Sequence, residues 1–166
     1  MSSITLEYIL IPSVVSVLAA YQMTTFASRV GGARRRLKID YPKMTGNAEF
    51  ERYVRAQQNS IEFFTIFLVI MWTCSLFFHP VMGGLLGLYY ILGRRSYFNG
   101  YVNNVADRIP GFMMTVKALQ LMLVFSLVGF VALVLKKHQG YDLFQHGRDL
   151  AEPHLKKYNA DFILKF

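Results

Sequence analysis

The sequence has 166 residues, of which 54% are hydrophobic, with a mean hydropathy of +0.31 and a formal net charge of +8. A soluble domain of this length mixes charged side chains through the whole chain, whereas here charge is confined to a few blocks between long apolar runs. The composition therefore excludes an ordinary soluble domain and predicts an all-α integral membrane protein in a lipid bilayer.

Four apolar runs predict a bundle of four transmembrane helices. A spanning helix needs roughly 20 apolar residues, and the second and third runs reach that length only if their polar ends enter the membrane interface. The helices are predicted at about residues 4–29, 48–78, 81–103 and 110–136. Together they form a predicted membrane domain over residues 1–138, and residues 139–166 form a predicted amphipathic basic tail with helical character.

The basic residues lie beside the ends of the apolar runs, where they contact lipid headgroups. This distribution argues against nucleic acid as a partner. Arg34, Arg35, Arg36 and Lys38 follow the first run, and no basic residue precedes it. The positive-inside tendency therefore places the first loop in the cytosol. The basic tail, which four spans place on the opposite side, weighs against that orientation.

A polar stripe introduces the second apolar run. At about 100° per residue, its side chains fall on one helix face, while Gln57 points to the other side. The stripe consists of Glu51, Arg55, Gln58, Asn59 and Glu62. Charged groups at this depth normally face the bundle interior, a cavity or one another. A purely structural interpretation also exists, in which Glu51 pairs with Arg55 and the amides join neighbouring helices.

A second polar group closes the third predicted helix. It contains Arg94, Tyr97 and Tyr101 and is followed by Asp107 and Arg108. Alternation of the spans brings it to the same membrane face as the stripe and the basic first loop. Guanidiniums bind carboxylates by forked hydrogen bonds, and a carboxylate binds an ammonium. The combination favours a small zwitterionic ligand with more than one carboxylate, and an apolar second substrate that enters from the lipid.

The segment Phe50-Glu-Arg-Tyr-Val-Arg-Ala-Gln-Gln-Asn-Ser-Ile-Glu62, with Arg94 and Tyr97-Phe-Asn-Gly-Tyr101, resembles the membrane-associated proteins in eicosanoid and glutathione metabolism, the MAPEG family. The resemblance covers about residues 5–135. It is greatest to the branch of leukotriene C4 synthases and second microsomal glutathione transferases. It implies a homotrimer of four-helix subunits in the endoplasmic reticulum or nuclear envelope, with glutathione as co-substrate bound between subunits near the cytosolic face.

The resemblance also implies roles for individual residues. Those at glutathione-contacting positions are Arg55, Asn59, Glu62, Tyr97, Tyr101 and Arg108, joined by Arg34 and Gln57 from the adjacent subunit. Arg108 matches the arginine that stabilises the glutathione thiolate, and Arg35 matches a position that assists substrate chemistry. The implied reaction is addition of the thiolate to a lipophilic electrophile, such as a leukotriene A4-type epoxide or a xenobiotic. Reduction of lipid hydroperoxides is a variant.

Several residues depart from this pattern and support a rival hypothesis. Phe63 stands where the transferase branch usually has tyrosine, and Thr65 where proline is common. The junction from Arg108 to Phe112 resembles that of the five-lipoxygenase-activating protein, a member of the family that is not an enzyme. The alternative is therefore a scaffold that binds a fatty acid. A channel ranks third, because the polar groups collect at one face and line no path across the bilayer.

The four histidines give no indication of a metal site. They are scattered, and no two have a convincing ligand spacing or a supporting carboxylate cluster. They are His79, His138, His146 and His154. The sequence therefore predicts no metal.

Overall fold

The computed structural model describes residues 6–157, except for the side chains of Glu7 and of residues 153–157. Within this range the chain is helical and has five helices. They are α1 (Leu6–Arg36), α2 (Ala48–Phe77), α3 (Pro80–Asn103), α4 (Arg108–Gln139) and α5 (Leu143–Lys157). The predicted helix start near residue 4 and the tail beyond residue 157 lie outside the described residues.

Helix α1 continues through Gly31 and Gly32 to Arg36, beyond the end predicted near residue 29. The extra turns bury Val30 and Ala33 against residues at the start of α2. Arg34, Arg35 and Arg36 occupy the last turn, where positive charge complements the partial negative charge of a helix C-terminus. These contacts explain why two consecutive glycines do not end the helix.

Side-chain caps define the start of the next two helices. Asn47 accepts a hydrogen bond from the backbone N–H of Phe50 at 3.0 Å, which satisfies one of the free donors in the first turn of α2. His79 accepts from the N–H of Val81 at 3.3 Å, and Pro80 occupies the first position of α3. Proline suits that position because its missing N–H would have no partner within the helix. The chain therefore breaks between α2 and α3 at His79-Pro80.

Glycines allow α3 to approach its neighbours closely. A Cβ on Gly83 would collide with the Ser75 hydroxyl of α2, and a Cβ on Gly84 would collide with Ile11 of α1. A Cβ on Gly87 would lie 2.7 Å from Val15 Cγ1 and 3.0 Å from Met71 Sδ. Small residues at such contacts are typical of helices that pack in membranes.

Three helices are long and apolar enough to cross a membrane within the described part of the chain, namely Tyr8–Arg36, Ala48–Phe77 and Arg108–Gln139. Helix α3 is not among them. It spans 24 residues, but its glycines and the pair Arg94-Arg95 lower its hydropathy. Large apolar side chains are exposed along all three long helices, as expected for surfaces that face lipid.

Within the described residues, one compact unit ends at Ser126 and a second begins at Leu127. In the second unit, Lys136 Nζ donates to Asp142 Oδ2 at 2.8 Å. The Asp142 carboxylate also accepts from the backbone N–H of Gln145 at 3.0 Å, at the start of α5. The hydrogen bond from Lys136 is the main cause that lowers the pKa of Asp142.

Candidate functional site

The polar stripe on α2 contains an ion pair between two side chains that are about two helical turns apart. Arg55 Nη1 lies 3.5 Å from Glu62 Oε1, and each side chain is more than half exposed. Within the part of the chain that the structure describes, the alternative pairing of Arg55 with Glu51 is not found. Glu51 Oε1 instead accepts from the N–H of Gly46 at 2.7 Å, which secures the chain just before the helix. Arg55 and Glu62 are therefore held together but remain open to a ligand.

Asn59 connects this ion pair to α3. Its Nδ2 donates to Glu62 Oε2 at 3.3 Å, and its Oδ1 accepts from Arg94 Nη2 at 3.1 Å. The same nitrogen of Arg94 donates to Ser60 Oγ at 2.8 Å. A continuous chain of polar contacts therefore runs from Arg55 to Arg94 and crosses between the two helices.

Arg94 is completely buried, which is unusual for an arginine. Its guanidinium carbon lies 4.1 Å from the centre of the Tyr97 ring and 5.2 Å from that of Phe63. Cations interact favourably with aromatic faces at these distances. Within the described residues, Arg94 Nε and Nη1 find no hydrogen-bond acceptor. The aromatic rings thus provide much of the environment of this buried charge.

Two tyrosines continue the site from α3 towards the start of α4. The centres of the Tyr97 and Tyr101 rings lie 5.7 Å apart in an edge-on arrangement. The guanidinium carbon of Arg108 lies 5.4 Å from the centre of the Tyr101 ring, and its Nη1 donates to the backbone oxygen of Val105. Arg108 is partly exposed. It is thus positioned at the first residue of α4 with part of its surface accessible.

Two glycines bring α4 this close to α3. A Cβ on Gly111 would collide with the backbone of Tyr97, and a Cβ on Gly100 would collide with the backbone of Asp107. Backbone atoms cannot move aside as a flexible side chain can, so the local geometry requires glycine at both positions. The Pro110-Gly111 step is therefore explained by packing as well as by the start of a helix.

These contacts define a polar cluster, made up of Arg55, Asn59, Glu62, Arg94, Tyr97, Tyr101 and Arg108. A cleft of about 500 Å³ shares Arg55 and Tyr101 with it. Glu51, Arg52 and Gln58 also line the cleft. Arg52 is engaged through its Nε, which donates to the backbone oxygen of Val102 at 2.9 Å. The volume lies in the range of small-molecule sites.

The structure thus brings together six of the predicted site residues, and three others lie outside the polar cluster of the same chain. Arg34 is buried, and its Nη1 donates to the backbone oxygens of Asp40 at 3.1 Å and Lys43 at 2.8 Å. Arg35 is exposed at the end of α1, and Gln57 is half-buried on α2. Within residues 6–157, no hydrogen bond or ion pair joins these three to the polar cluster.

The predicted set omitted Arg94, although the sequence contained a signal for it. Gly83, Gly87, Tyr90, Arg94 and Tyr97 follow one another at intervals of three or four residues, the spacing of a single helix face. All five are buried, whereas the adjacent Arg95 is exposed. Glycines on that face indicated that it packs inside the protein, and therefore that Arg94 points inward.

The accessible charged groups of the polar cluster can each bind a different chemical group of a ligand. Arg55 offers an exposed guanidinium for a carboxylate, and Glu62 offers a carboxylate for an ammonium. Arg108 offers a second accessible cation at the other end of the cluster, where it can stabilise a thiolate. Among the side chains that the structure describes, no group of three or more His, Cys, Asp or Glu is placed to hold a metal ion.

Comparison with known proteins identifies a family and several similar proteins. Residues 12–128 match the model of the MAPEG family. The chain is 43% identical to microsomal glutathione S-transferase 2 of Mus musculus over 124 residues, which is 75% of this chain and 84% of the relative. It is 35% identical to leukotriene C4 synthase of Bos taurus over 118 residues, or 71% of this chain and 79% of the relative.

The human relative gives a similar result. Microsomal glutathione S-transferase 2 of Homo sapiens is 43% identical over 115 residues, covering 69% of this chain and 78% of the relative. Family match and relatives agree with the resemblance carried by the α2 motif, including the branch. The chain belongs to the MAPEG family.

Proposed function

We propose that the protein is a membrane-bound glutathione transferase that adds the glutathione thiolate to lipophilic electrophiles. The observation that carries this proposal is the polar cluster, in which an exposed guanidinium–carboxylate pair and a separate arginine are joined by hydrogen bonds and ring contacts. The names of the relatives, glutathione S-transferase and leukotriene C4 synthase, support the same activity.

Glutathione has two carboxylates, one ammonium and one thiol, and the cluster offers a complementary group for each class. Arg55 binds a carboxylate, Glu62 receives the ammonium, and Asn59, Tyr97 and Tyr101 supply further hydrogen bonds and ring surfaces. Arg108 stabilises the thiolate, because a neighbouring guanidinium lowers the pKa of a thiol from about 8.5. Arg34 and Gln57 contribute from the adjacent subunit, and Arg35 assists at the electrophile.

The bonds and protons of the proposed reaction balance without a metal ion. The thiol of glutathione loses its proton, and the thiolate sulfur forms a bond to an electrophilic carbon. With an epoxide, the carbon–oxygen bond breaks and the alkoxide takes up a proton, whereas an aryl halide releases halide. Reduction of a lipid hydroperoxide would use two glutathione molecules, which are oxidised to the disulfide while the O–O bond breaks and the hydroperoxide becomes an alcohol and water.

The proposed assembly is a homotrimer whose subunits have four transmembrane helices, with α3 as the fourth span. At 1.5 Å per residue its 24 residues extend about 36 Å, enough to cross a hydrocarbon core of about 30 Å. Exposure of Arg55 and Glu62 supports the trimer, because a neighbouring subunit would shield these charges from lipid.

The remaining features of the proposal concern organisation and location. Residues 1–138 form the membrane domain, and residues 139–166 form an amphipathic basic tail. We place the protein in the endoplasmic reticulum or nuclear envelope, with the first loop and the glutathione site in the cytosol. The basic turn at the end of α1 supports this orientation through the positive-inside tendency.

The activity is tested by incubating the purified protein in lipid vesicles with glutathione and an apolar epoxide, and measuring the thioether product by mass spectrometry. We expect a product that requires both protein and glutathione, and a rate that falls at least tenfold in the Arg55→Ala and Glu62→Ala variants. Arg95→Ala is the matched control, because Arg95 is exposed on α3 outside the cluster. A folded protein that forms no thioether with a panel of epoxides, enones and aryl halides would contradict the proposal.

One observation favours a second candidate, the scaffold that binds a fatty acid. Phe63 gives the site an apolar wall, since its ring packs edge-on against Phe112 with the centres 5.8 Å apart. A hydroxyl is therefore missing where the transferase branch carries tyrosine. The scaffold predicts labelling by a photoreactive fatty acid together with no activity that depends on glutathione.

A further inference from the structure

The buried guanidinium of Arg94 does more than the packing of α3 requires. Burial of a cation is costly unless its hydrogen bonds are met, yet Nε and Nη1 have no acceptor within the described residues. An uncharged side chain of similar length would fill the same space without that cost. Arg94 contacts the rings of Tyr97 and Phe63. Its hydrogen bonds go to Asn59 and Ser60, and an apolar side chain could not donate them.

The contact with Asn59 determines which way that amide points. A guanidinium can only donate hydrogen bonds, so Asn59 must present its oxygen to Arg94. The NH₂ group of the amide is then left to donate to Glu62 Oε2 at 3.3 Å. Without Arg94, Asn59 could turn its amide over, and the oxygen would then face the carboxylate and repel it.

Glu62 is consequently held from two sides. Asn59 Nδ2 contacts Oε2, and Arg55 Nη1 lies 3.5 Å from Oε1. A carboxylate has about four positions at which it can accept hydrogen bonds, so these two donors leave room for a third. The side chain is 55% exposed, which makes the remaining positions accessible to a ligand.

We propose that Arg94 is a positioning residue that orients the Asn59 amide and thereby holds the Glu62 carboxylate to receive the ammonium of the bound peptide. This inference rests on the proposed function, because it specifies how one end of glutathione is recognised. Arg94 itself does not touch the ligand. Its effect passes through a hydrogen bond of 3.1 Å and one of 3.3 Å.

The test compares glutathione with deamino-glutathione, the analogue in which hydrogen replaces the amino group. Dissociation constants for both are measured by calorimetry on the full chain in detergent, for the wild type and Arg94→Met. We expect the wild type to prefer glutathione by about tenfold, the usual size of a hydrogen bond to a charged group. In Arg94→Met the preference should fall to about twofold, mainly because glutathione binds less tightly.

A merely structural role for Arg94 predicts a different pattern. If Arg94→Met only loosened the bundle, both ligands would weaken by the same factor and the preference would stay near tenfold. That result would overturn the inference and leave the proposed function intact. Arg95→Ala, the exposed neighbour, should keep the wild-type preference.

A second variant covers the case in which Arg94→Met does not fold. Asn59→Leu removes the amide from a half-buried position on α2 and leaves Arg94 in place. We expect it to lose the preference for the amino group in the same way, and a retained preference would overturn the inference. A wild-type protein that binds neither ligand would overturn the proposed function and this inference together.

Discussion

The two ends of the α2–α3 pair satisfy their buried polar atoms in different ways. At the apolar end, Ser75 Oγ donates to the backbone oxygen of Met71 in its own helix, and Gly83 packs against it. At the other end, Arg94 of α3 donates across to Asn59 and Ser60 of α2. Hydrogen bonds within one helix only satisfy a polar group, whereas bonds between side chains of two helices also fix a relative geometry. This difference separates the two ends of the α2–α3 pair.

The difference between the two ends is tested most directly by removing the guanidinium of Arg108 from the polar cluster. We expect Arg108→Ala to reduce turnover about 100-fold, the effect of removing one preorganised group that stabilises a developing charge. Glutathione affinity should change much less, because the thiolate forms only a small part of the bound ligand. The measurement is steady-state kinetics with an apolar aryl halide, combined with calorimetry.

The apolar end provides the control for this experiment. Ser75→Ala removes a buried hydroxyl that bonds only to its own helix, and turnover should stay within about twofold of the wild type. Equal losses of turnover in Arg108→Ala and Ser75→Ala would mean that the two ends do not differ in function.

The second prediction concerns the close approach of α4 to α3. Gly111→Ala places a Cβ against the backbone of Tyr97, and we expect a loss of about 1–3 kcal/mol in the free energy of unfolding. Gly31→Ala is the matched control, because no atom lies within 4 Å of its added Cβ and alanine is the better helix former. Thermal unfolding in detergent compares the two variants, and a Gly111→Ala protein as stable as Gly31→Ala would contradict the packing described for α4.

The third prediction restores a hydroxyl to the site. Phe63→Tyr adds a polar atom to a ring whose centre lies 5.2 Å from the guanidinium carbon of Arg94. One added hydrogen bond is worth about 1 kcal/mol, so glutathione should bind about fivefold more tightly in calorimetry. Phe64→Tyr, at a half-buried position next to it, should leave the affinity unchanged. Weaker binding by Phe63→Tyr would show that the apolar wall serves another ligand.

The smallest effect is expected at the junction between α4 and α5. Because the pKa of Asp142 is lowered in the folded protein, its carboxylate contacts stabilise the junction fully at pH values above the ordinary pKa range of aspartate. This stabilisation is lost as the pH falls through the lowered pKa. Asp142→Ala should speed hydrogen exchange at Gln145, whereas Asp142→Asn should not, since asparagine also caps a helix. Mass spectrometry of residues 143–157 measures this, and equal exchange in both variants would exclude the cap.

Much of the site could be predicted because its residues are periodic. The spacing of Arg55, Asn59 and Glu62 places them on one helix face, and the structure joins them by hydrogen bonds and an ion pair. The break at His79-Pro80 can be predicted from the proline, whose effect depends only on its immediate neighbours.

The rest depends on contacts between distant parts of the chain. Arg34 and Arg35 are adjacent and chemically identical, yet Arg34 turns inward because the backbone oxygens of Asp40 and Lys43 are presented to it. The length of α1 likewise depends on the packing of Val30 and Ala33. Sequence periodicity describes one helix at a time, so it cannot tell which partner lies opposite each face.

The central claim is that the polar cluster binds glutathione, and calorimetric titration of glutathione into the purified protein tests it most directly. We expect saturable binding by the wild type, at least tenfold weaker binding by Arg55→Ala and by Glu62→Ala, and unchanged binding by Arg95→Ala. The absence of binding by a folded wild-type protein, or equal binding by all four proteins, would contradict the account.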